Sequence, residues 1–499
     1  MNAIETAFGL VFQPSVLVTI VLSALFGLVV GAIPGLTATM AIALLVPVTF
    51  FMDPVPAVGA MVTCSAMAIF AGDIPGTLLR IPGTPASAAY TDEAYMMTRN
   101  GEGEIALGAN LLFSVIGGLF GTVVLILSAP ALAEVALRFS SFEYFWLALL
   151  GLTCAVFIGT ASPVKGFVSL FIGLFVSTIG LNNPAGVPRF TFGSTELTGG
   201  VNFIAAMIGL FAVSEVLRFA ISPRIQGTPQ AVMGNLFRGW GRMLVQYWPQ
   251  QLRGNVLGTV IGALPGAGAD IAAWVSYAVS KKMSRTPEKF GKGHIEGIIE
   301  STSSNNAALA GAWVPALVFG IPGDSITAVV IGVLYLKNMN PGPTIFLNNP
   351  QYIYAVFIIF ILANLVMLPL GWAAIKGAKT ILRIPREILM PCILMFCIVG
   401  AFAINNSAFG VAVMLAFGVL GFLMEENNIP VAPCILGIVL GPMLEENFVT
   451  SMIKSDGSFL AFFERPIAAV LGIATMLVWI TPVLLRGLRS SPAGMPRSG

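Results

Sequence analysis

Apolar residues fill this chain in long stretches, and polar positions fall between them in short clusters. Stretches at 105–133, 143–160, 201–221, 353–375, 387–404 and 466–485 are each near the length a membrane-crossing helix needs. About 20 apolar residues in a helix span the ~30 Å of bilayer hydrocarbon. With the shorter runs interrupted by Pro or Gly, roughly a dozen transmembrane segments are expected. The residues between them are too few for a soluble domain. The pattern predicts an all-α polytopic protein, multi-pass in a lipid bilayer.

The interruptions repeat. Gly27, Gly31 and Gly35 stand four residues apart, as do Gly258, Gly262 and Gly266, and proline precedes the last glycine of each set. Gly31 and Gly262 are 231 residues apart. A second phrase, Pro75 with Pro82-Gly83, returns 240 residues later as Pro315 with Pro322-Gly323. The shared order marks an internal duplication. We expect one membrane repeat over 1–221, a cytoplasmic connector over 222–253 and a second repeat over 254–499. Proline-glycine breaks at matching places in two apolar halves point to the substrate site of a secondary transporter.

Basic residues mark cytoplasmic loops. They cluster at Arg218, Arg224, Arg238, Arg242 and Arg253; at Lys281, Lys282, Arg285, Lys289 and Lys292; at Lys376, Lys379, Arg383 and Arg386; and in the tail at Arg486, Arg489 and Arg497. If both ends of 254–280 are cytoplasmic, that segment is a re-entrant hairpin bent at Pro265-Gly266; otherwise it is one kinked crossing. The first copy, 16–51, lacks flanking basic residues, so its hairpin would open outward and the repeats would be inverted.

Composition narrows the function. Of 499 residues, 57% are hydrophobic and 10% charged, against roughly a quarter charged in a soluble domain. The net charge of +2 gives no reason to expect nucleic acid. No Lys or Arg precedes Arg80, so the first apolar stretch is expected to be retained rather than cleaved as a leader. The five cysteines lie in apolar runs and read as small buried hydrophobes. The one histidine, His294, leaves no catalytic triad and no transition-metal cluster, so neither an enzyme nor a cofactor is expected.

Polar residues follow each break: Thr37 and Thr39, Thr84 and Ser87, Asp270, and Asp324, Ser325 and Thr327. A helix restarting there aims free N–H groups at a cavity, which suits a carboxylate. The glycine strings alone also fit close helix packing. Ser301-Thr302-Ser303-Ser304-Asn305-Asn306 is the most polar stretch in an apolar context, either a site or a helix N-cap. Asp73, Arg80, Asp270 and Asp324 are charges inside apolar sequence. Arg80 reads as a partner for an anion or as a snorkelling residue, and the aspartates as cation ligands or caps. Gly35, Thr37, Arg80, Pro82, Gly83, Thr84, Ser87, Gly266, Ser304, Asn305, Asn306, Pro322 and Gly323 form the expected substrate set; Asp270, Asn305 and Asp324 form the expected set for a coupling Na⁺ or H⁺. Glu425-Glu426-Asn427-Asn428 and Glu445-Glu446-Asn447 read as polar loop ends.

Several long phrases resemble the large membrane subunit of the tripartite tricarboxylate transporters, the TctA-type permeases. They are Gly31-Ala32-Ile33-Pro34-Gly35, Ile81-Pro82-Gly83-Thr84-Pro85-Ala86-Ser87-Ala88, Pro188-Arg189-Phe190-Thr191-Phe192-Gly193, Ala263-Leu264-Pro265-Gly266, Gly320-Ile321-Pro322-Gly323 and Gly441-Pro442-Met443-Leu444-Glu445-Glu446-Asn447. The resemblance implies a cation-coupled importer of organic carboxylates in a bacterial inner membrane. It also implies two partners, a small membrane subunit and a periplasmic solute-binding protein that delivers substrate. Arg80 departs from the family's pattern, which has a less charged residue ahead of Ile-Pro-Gly. A carrier of a non-carboxylate solute and a channel-like component are the alternatives.

Overall fold

The structure, a computed structural model, describes residues 3–158, 162–181, 186–221, 235–382 and 386–489. Arg224, Arg383 and Arg497 of the expected cytoplasmic clusters lie outside the described residues, as does 222–234 of the expected connector. The described residues are mostly helical, and among them the only β contact is a single bridge between Gly180 and Arg189. Among the described residues, seven helices are long and apolar enough to cross a membrane by length and composition, and six shorter apolar helices accompany them. The apolar stretches became the helices Gly103–Ala136, Ser141–Ile158, Phe203–Ile221, Pro350–Lys376, Arg386–Asn405 and Pro466–Arg489.

The glycine strings decide how the breaks are built. Pro14–Ala32 packs along Pro54–Ala71, and Trp248–Gly262 packs along Ile295–Phe319. A Cβ on Gly27 would sit 2.6 Å from the Cys64 carbonyl oxygen, and one on Gly31 would sit 2.5 Å from that of Ala68. In the second half Gly254, Gly258 and Gly262 meet the carbonyls of Glu300, Ser304 and Ala308 at 2.4, 2.2 and 2.2 Å. Both partners advance by four, so each pair of helices runs parallel. The helix between them, Ala38–Thr49 in one half and Gly268–Met283 in the other, must therefore return toward its starting side. The Pro-Gly segments are hairpin tips and not kinked crossings. Pro14–Ala32 has the length to span a bilayer, yet it ends beside Ala68, a little past the middle of the 26-residue helix Pro54–Leu79.

The first two glycines of each string thus serve packing. Only the third turns the chain, with φ of 88° at Gly35 and 80° at Gly266, a region closed to most side chains.

The second break is also built twice. Arg80 ends its helix in the left-handed region (φ 61°), and Gly320 ends its own at φ 68°. Arg80 N donates to Gly76 O at 3.1 Å and Ile81 N to Pro75 O at 3.4 Å; Gly320 N donates to Ala316 O at 3.2 Å and Ile321 N to Pro315 O at 3.3 Å. Such caps favour glycine because a Cβ is strained there. The chain then folds back onto the hairpin. A Cβ on Gly83 would lie 2.8 Å from the Gly31 carbonyl oxygen, and one on Gly323 2.7 Å from that of Gly262.

Ion pairs lock the frame at several points. Arg253 on the second hairpin holds the fully buried Glu300 through two bonds of 2.6 and 2.5 Å. Arg189 holds Glu445 bidentately at 2.8 Å. Glu445 lies inside the helix Ala432–Lys454, so Glu445-Glu446-Asn447 is not a loop end. Trp248 opens the first arm of the second hairpin, so the final residues of the expected connector belong to that helix.

Gly262→Ala is expected to lower stability by roughly 1–3 kcal/mol through overpacking against Ala308. Gly9→Ala, where the added methyl meets nothing within 4 Å, stays within about 0.5 kcal/mol of the parent. Thermal unfolding in detergent compares them. Arg253→Ala strands the buried Glu300 carboxylate and is expected to cost about 3 kcal/mol or more on the same scale.

Candidate functional site

The four breaks converge. One cavity of about 260 Å³ is lined by Thr37–Thr39 after the first hairpin tip, Thr84–Ala86 after the second break, Gly266–Ile271 of the second hairpin and Asp324–Ile326 after the last break. Three helices of at least twelve residues, Ala38–Thr49, Gly268–Met283 and Ser325–Leu336, start at its wall. Each brings its N-terminal amides and the positive end of its dipole to the same space.

Polar residues after the breaks cap two of those starts. The Thr37 hydroxyl accepts from Met40 N at 3.2 Å. Asp324 forms a capping box: its Oδ1 accepts from Thr327 N at 2.8 Å, and Asp324 N donates to the Thr327 hydroxyl at 2.9 Å. The first half repeats this 240 residues earlier. Ser87 N donates to the Thr84 hydroxyl and Thr84 N to the Ser87 hydroxyl, both at 3.1 Å. The same two-way cap therefore uses two hydroxyls in one half and a carboxylate with a hydroxyl in the other.

Bonds between the halves cross the cavity. The Asp270 carboxylate accepts from Ala86 N at 3.1 Å, and the hydroxyls of Thr39 and Ser325 are 2.8 Å apart. Thr39 and Asp270 are equivalent at the 231-residue offset, so each hairpin tip ties to the opposite half's break. Asp270 sits in the first turn of its helix and is not the N-cap, which is Ala267. Asp324 lies against Gly268: a Cβ on that glycine would meet the Asp324 Cβ at 2.5 Å. The second oxygen of Asp324 has no hydrogen-bond partner among the described residues. None of the described lining residues is Lys, Arg or His.

Of the expected set, Thr37, Thr84, Gly266, Asp270, Asn305 and Asp324 line the cavity. Gly35, Pro82, Gly83, Ser87, Pro322 and Gly323 build the breaks behind it. Ser304 and Asn306 flank Asn305 inside the helix Ile295–Phe319, where Ser304 donates to Ala272 O at 3.1 Å. The whole run 301–306 is buried mid-helix, so it is not an N-cap. Arg80 is not brought to the cavity. Its side chain is 62% exposed and pairs with Asp92 at 2.8 Å.

Lining residues that went unread in the sequence include Ile69, Ala155, Phe211, Glu425, Ala432, Pro433 and Leu436. Phe211 stands in a π-helical turn, Ile208–Val213, which leaves no mark in an apolar run. Glu425 lies in the last turn of the helix Ala408–Glu426 and pairs with Arg218, so the acidic doublet there was a signal of a site edge read as a loop end.

Comparison with known proteins finds a family and two relatives. The profile of the tripartite tricarboxylate transporter TctA family matches residues 17–436. An uncharacterized 52.8 kDa protein from the TAR-I ttuC' 3' region of Agrobacterium vitis is 33% identical over 500 residues, covering 98% of this chain and 97% of that protein. An uncharacterized protein from the TAR-II ttuC' 3' region of the same organism is 36% identical over 234 residues, 47% of this chain and 96% of that protein. No solved structure matches.

Asp324→Asn keeps an acceptor for Thr327 N and is expected to hold stability within about 0.5 kcal/mol, whereas Asp324→Ala loses the cap and about 1 kcal/mol. Arg80→Gly relieves the left-handed strain and is expected to raise stability by up to ~1 kcal/mol, since an exposed ion pair returns little. Unfolding midpoints of the three variants report both effects.

Proposed function

Because the chain belongs to the tripartite tricarboxylate transporter TctA family, we propose that it is the permease of a cation-coupled importer of small organic carboxylates. It is a transporter's membrane component. The observation that carries the finer reading is the convergence of four Pro-Gly breaks and three helix N-termini on one cavity. Backbone N–H groups at helix starts hold a carboxylate without a buried basic side chain. Thr37, Thr84 and Asn305 add polar contacts at the wall, and Gly266 lets the backbone approach.

Coupling follows from the charges. An anion entering the cavity meets Asp270 and Asp324 with no basic residue beside them among the described lining residues. Two like charges 4 Å apart at an effective dielectric of ~20 repel by about 4 kcal/mol, roughly a thousandfold in affinity. A Na⁺ or H⁺ taken up at these carboxylates removes that penalty, so substrate and cation enter together. The two hairpins open to opposite faces as inverted repeats, and alternating exposure of the cavity moves the load inward. A periplasmic binding protein supplies the substrate from outside, a small membrane subunit completes the assembly, and the whole sits in a bacterial inner membrane.

The same acidic wall favours a second reading, a cationic or zwitterionic solute with Asp270 and Asp324 as its direct ligands. Competition by mono-, di- and tricarboxylates against a panel of amines separates the two.

Labelled carboxylate uptake into vesicles holding the permease with both partners tests the first reading under an imposed Na⁺ or proton gradient. Concentrative uptake that needs the binding protein is expected, with Asp270→Asn and Asp324→Asn each lowering gradient-driven accumulation by about tenfold or more. Absence of uptake for every carboxylate, from fully assembled protein, would sink this substrate class.

A further inference from the structure

Asp73 stands apart from the cavity and, among the described residues, makes no ion pair. It opens the short helix Asp73–Leu79 and is 2% exposed. Its neighbour Gly72 packs against Thr84 and Gly83 of the second break, which places Asp73 at the depth of the hairpin tips. One carboxylate oxygen accepts from the Tyr90 hydroxyl at 2.6 Å. The other is buried with no partner among the described residues.

Among the described residues, the helices packed on Asp73–Leu79 bring no counter-charge to its carboxylate: Thr91–Arg99 carries Tyr95 and, in its last turn, Arg99, whose side chain is exposed. Pro14–Ala32 and Pro54–Ala71 hold no basic residue. On Thr91–Arg99, Asp92 pairs with Arg80, and Glu93 accepts from the amides of Gly293 and His294 and from the Tyr277 hydroxyl. On Gly103–Ala136, the acid of the first turn, Glu104, lies at the helix end. Tyr90 is the titratable group that touches Asp73. A buried ionised carboxylate without a partner costs several kcal/mol even after relaxation. It is relieved by one positive charge.

The fold does not require an acid here. The equivalent position 240 residues later is Trp313, fully buried in the duplicated helix. A link to the cavity does exist. Tyr90, whose hydroxyl holds Asp73, lies 3.5 Å from the amide nitrogen of Asn305, which lines the cavity, and the Asn305 amide oxygen is itself buried and unpartnered.

We propose that Asp73 is a cation site of its own, separate from Asp270 and Asp324, whose carboxyl takes up one monovalent cation, H⁺ or Na⁺. Tyr90 and Asn305 connect its occupancy to the cavity. The proposal rests on the transport reading for its purpose, but its test needs no substrate.

Purified protein in nanodiscs, without any carboxylate, is unfolded thermally across a series of NaCl against choline chloride, at mildly acidic and mildly alkaline pH. The background is Asp270→Asn/Asp324→Asn, which removes the acids at the cavity wall. A Na⁺ site gives a melting temperature that climbs with NaCl and not with choline. A proton site gives one that climbs on acidification regardless of Na⁺, because a carboxyl protonated in the folded state stabilises it below its folded pKa and loses that contribution above it. Adding Asp73→Asn, which keeps an acceptor for Tyr90, is expected to abolish whichever response is seen. Tyr90→Phe in the same background removes the hydroxyl and is expected to move the midpoint about tenfold in cation concentration. An undiminished response with Asp73→Asn overturns the proposal, and so does an unshifted midpoint with Tyr90→Phe should the first variant fail to fold. Loss of carboxylate uptake in vesicles bears on the substrate class and leaves this result untouched.

Discussion

A helix that stops in the middle of a membrane leaves amides and carbonyls where no water can reach them. Every other feature of this protein answers that constraint. The breaks are buried against one another: Gly266 N donates to Gly323 O at 2.8 Å, and Gly83 N to Gly72 O at 3.0 Å. Two-way caps at Thr84–Ser87 and Asp324–Thr327 satisfy the restarting helices. Three of the restarting helices begin at the wall of the space the breaks enclose. The cavity thus forms where broken helices meet, and much of its polarity comes from helix starts.

The halves share a backbone and differ in what they hang on it. Arg80 and Gly320 hold the same left-handed cap. Thr39 and Asp270 make matching ties to the opposite half, one through a hydroxyl and one through a carboxylate. Asp73 answers to Trp313. Glycines that touch a carbonyl recur in both halves because no other residue fits, whereas positions facing the cavity have separated. Packing pins the first group sterically and leaves the second free to acquire charge.

Much of this was legible in the chain. Pro34-Gly35, Pro82-Gly83, Pro265-Gly266 and Pro322-Gly323 could be named because proline and glycine announce a broken helix whatever surrounds them. Their convergence could be argued because the order repeats. The two roles of the glycine strings could not be separated in advance, since Gly31 and Gly35 look alike until the partner helix Pro54–Ala71 is in place. Arg80 drew attention as a charge near a break, but charge alone does not say which way a side chain leaves a left-handed turn. Ser301–Asn306 resembled a cap because capping residues and buried polar residues are the same residues. Phe211 and Ala155 were silent because a cavity wall made of apolar atoms has the composition of the lipid-facing surface.

The parallel seams carry a consequence for motion. Along Trp248–Gly262 the contact with the facing helix is indexed by glycines at 254, 258 and 262, each seated on one carbonyl. A slide of one, two or three residues would drive side chains into backbone. The arm finds a second seat only after four residues, about 6 Å along the axis. Such a seam behaves like a toothed rack: it holds or it jumps by a tooth, and it does not creep. Small displacements at a hairpin tip are therefore passed on whole to the long helix beside it, so that tip and helix travel as one piece.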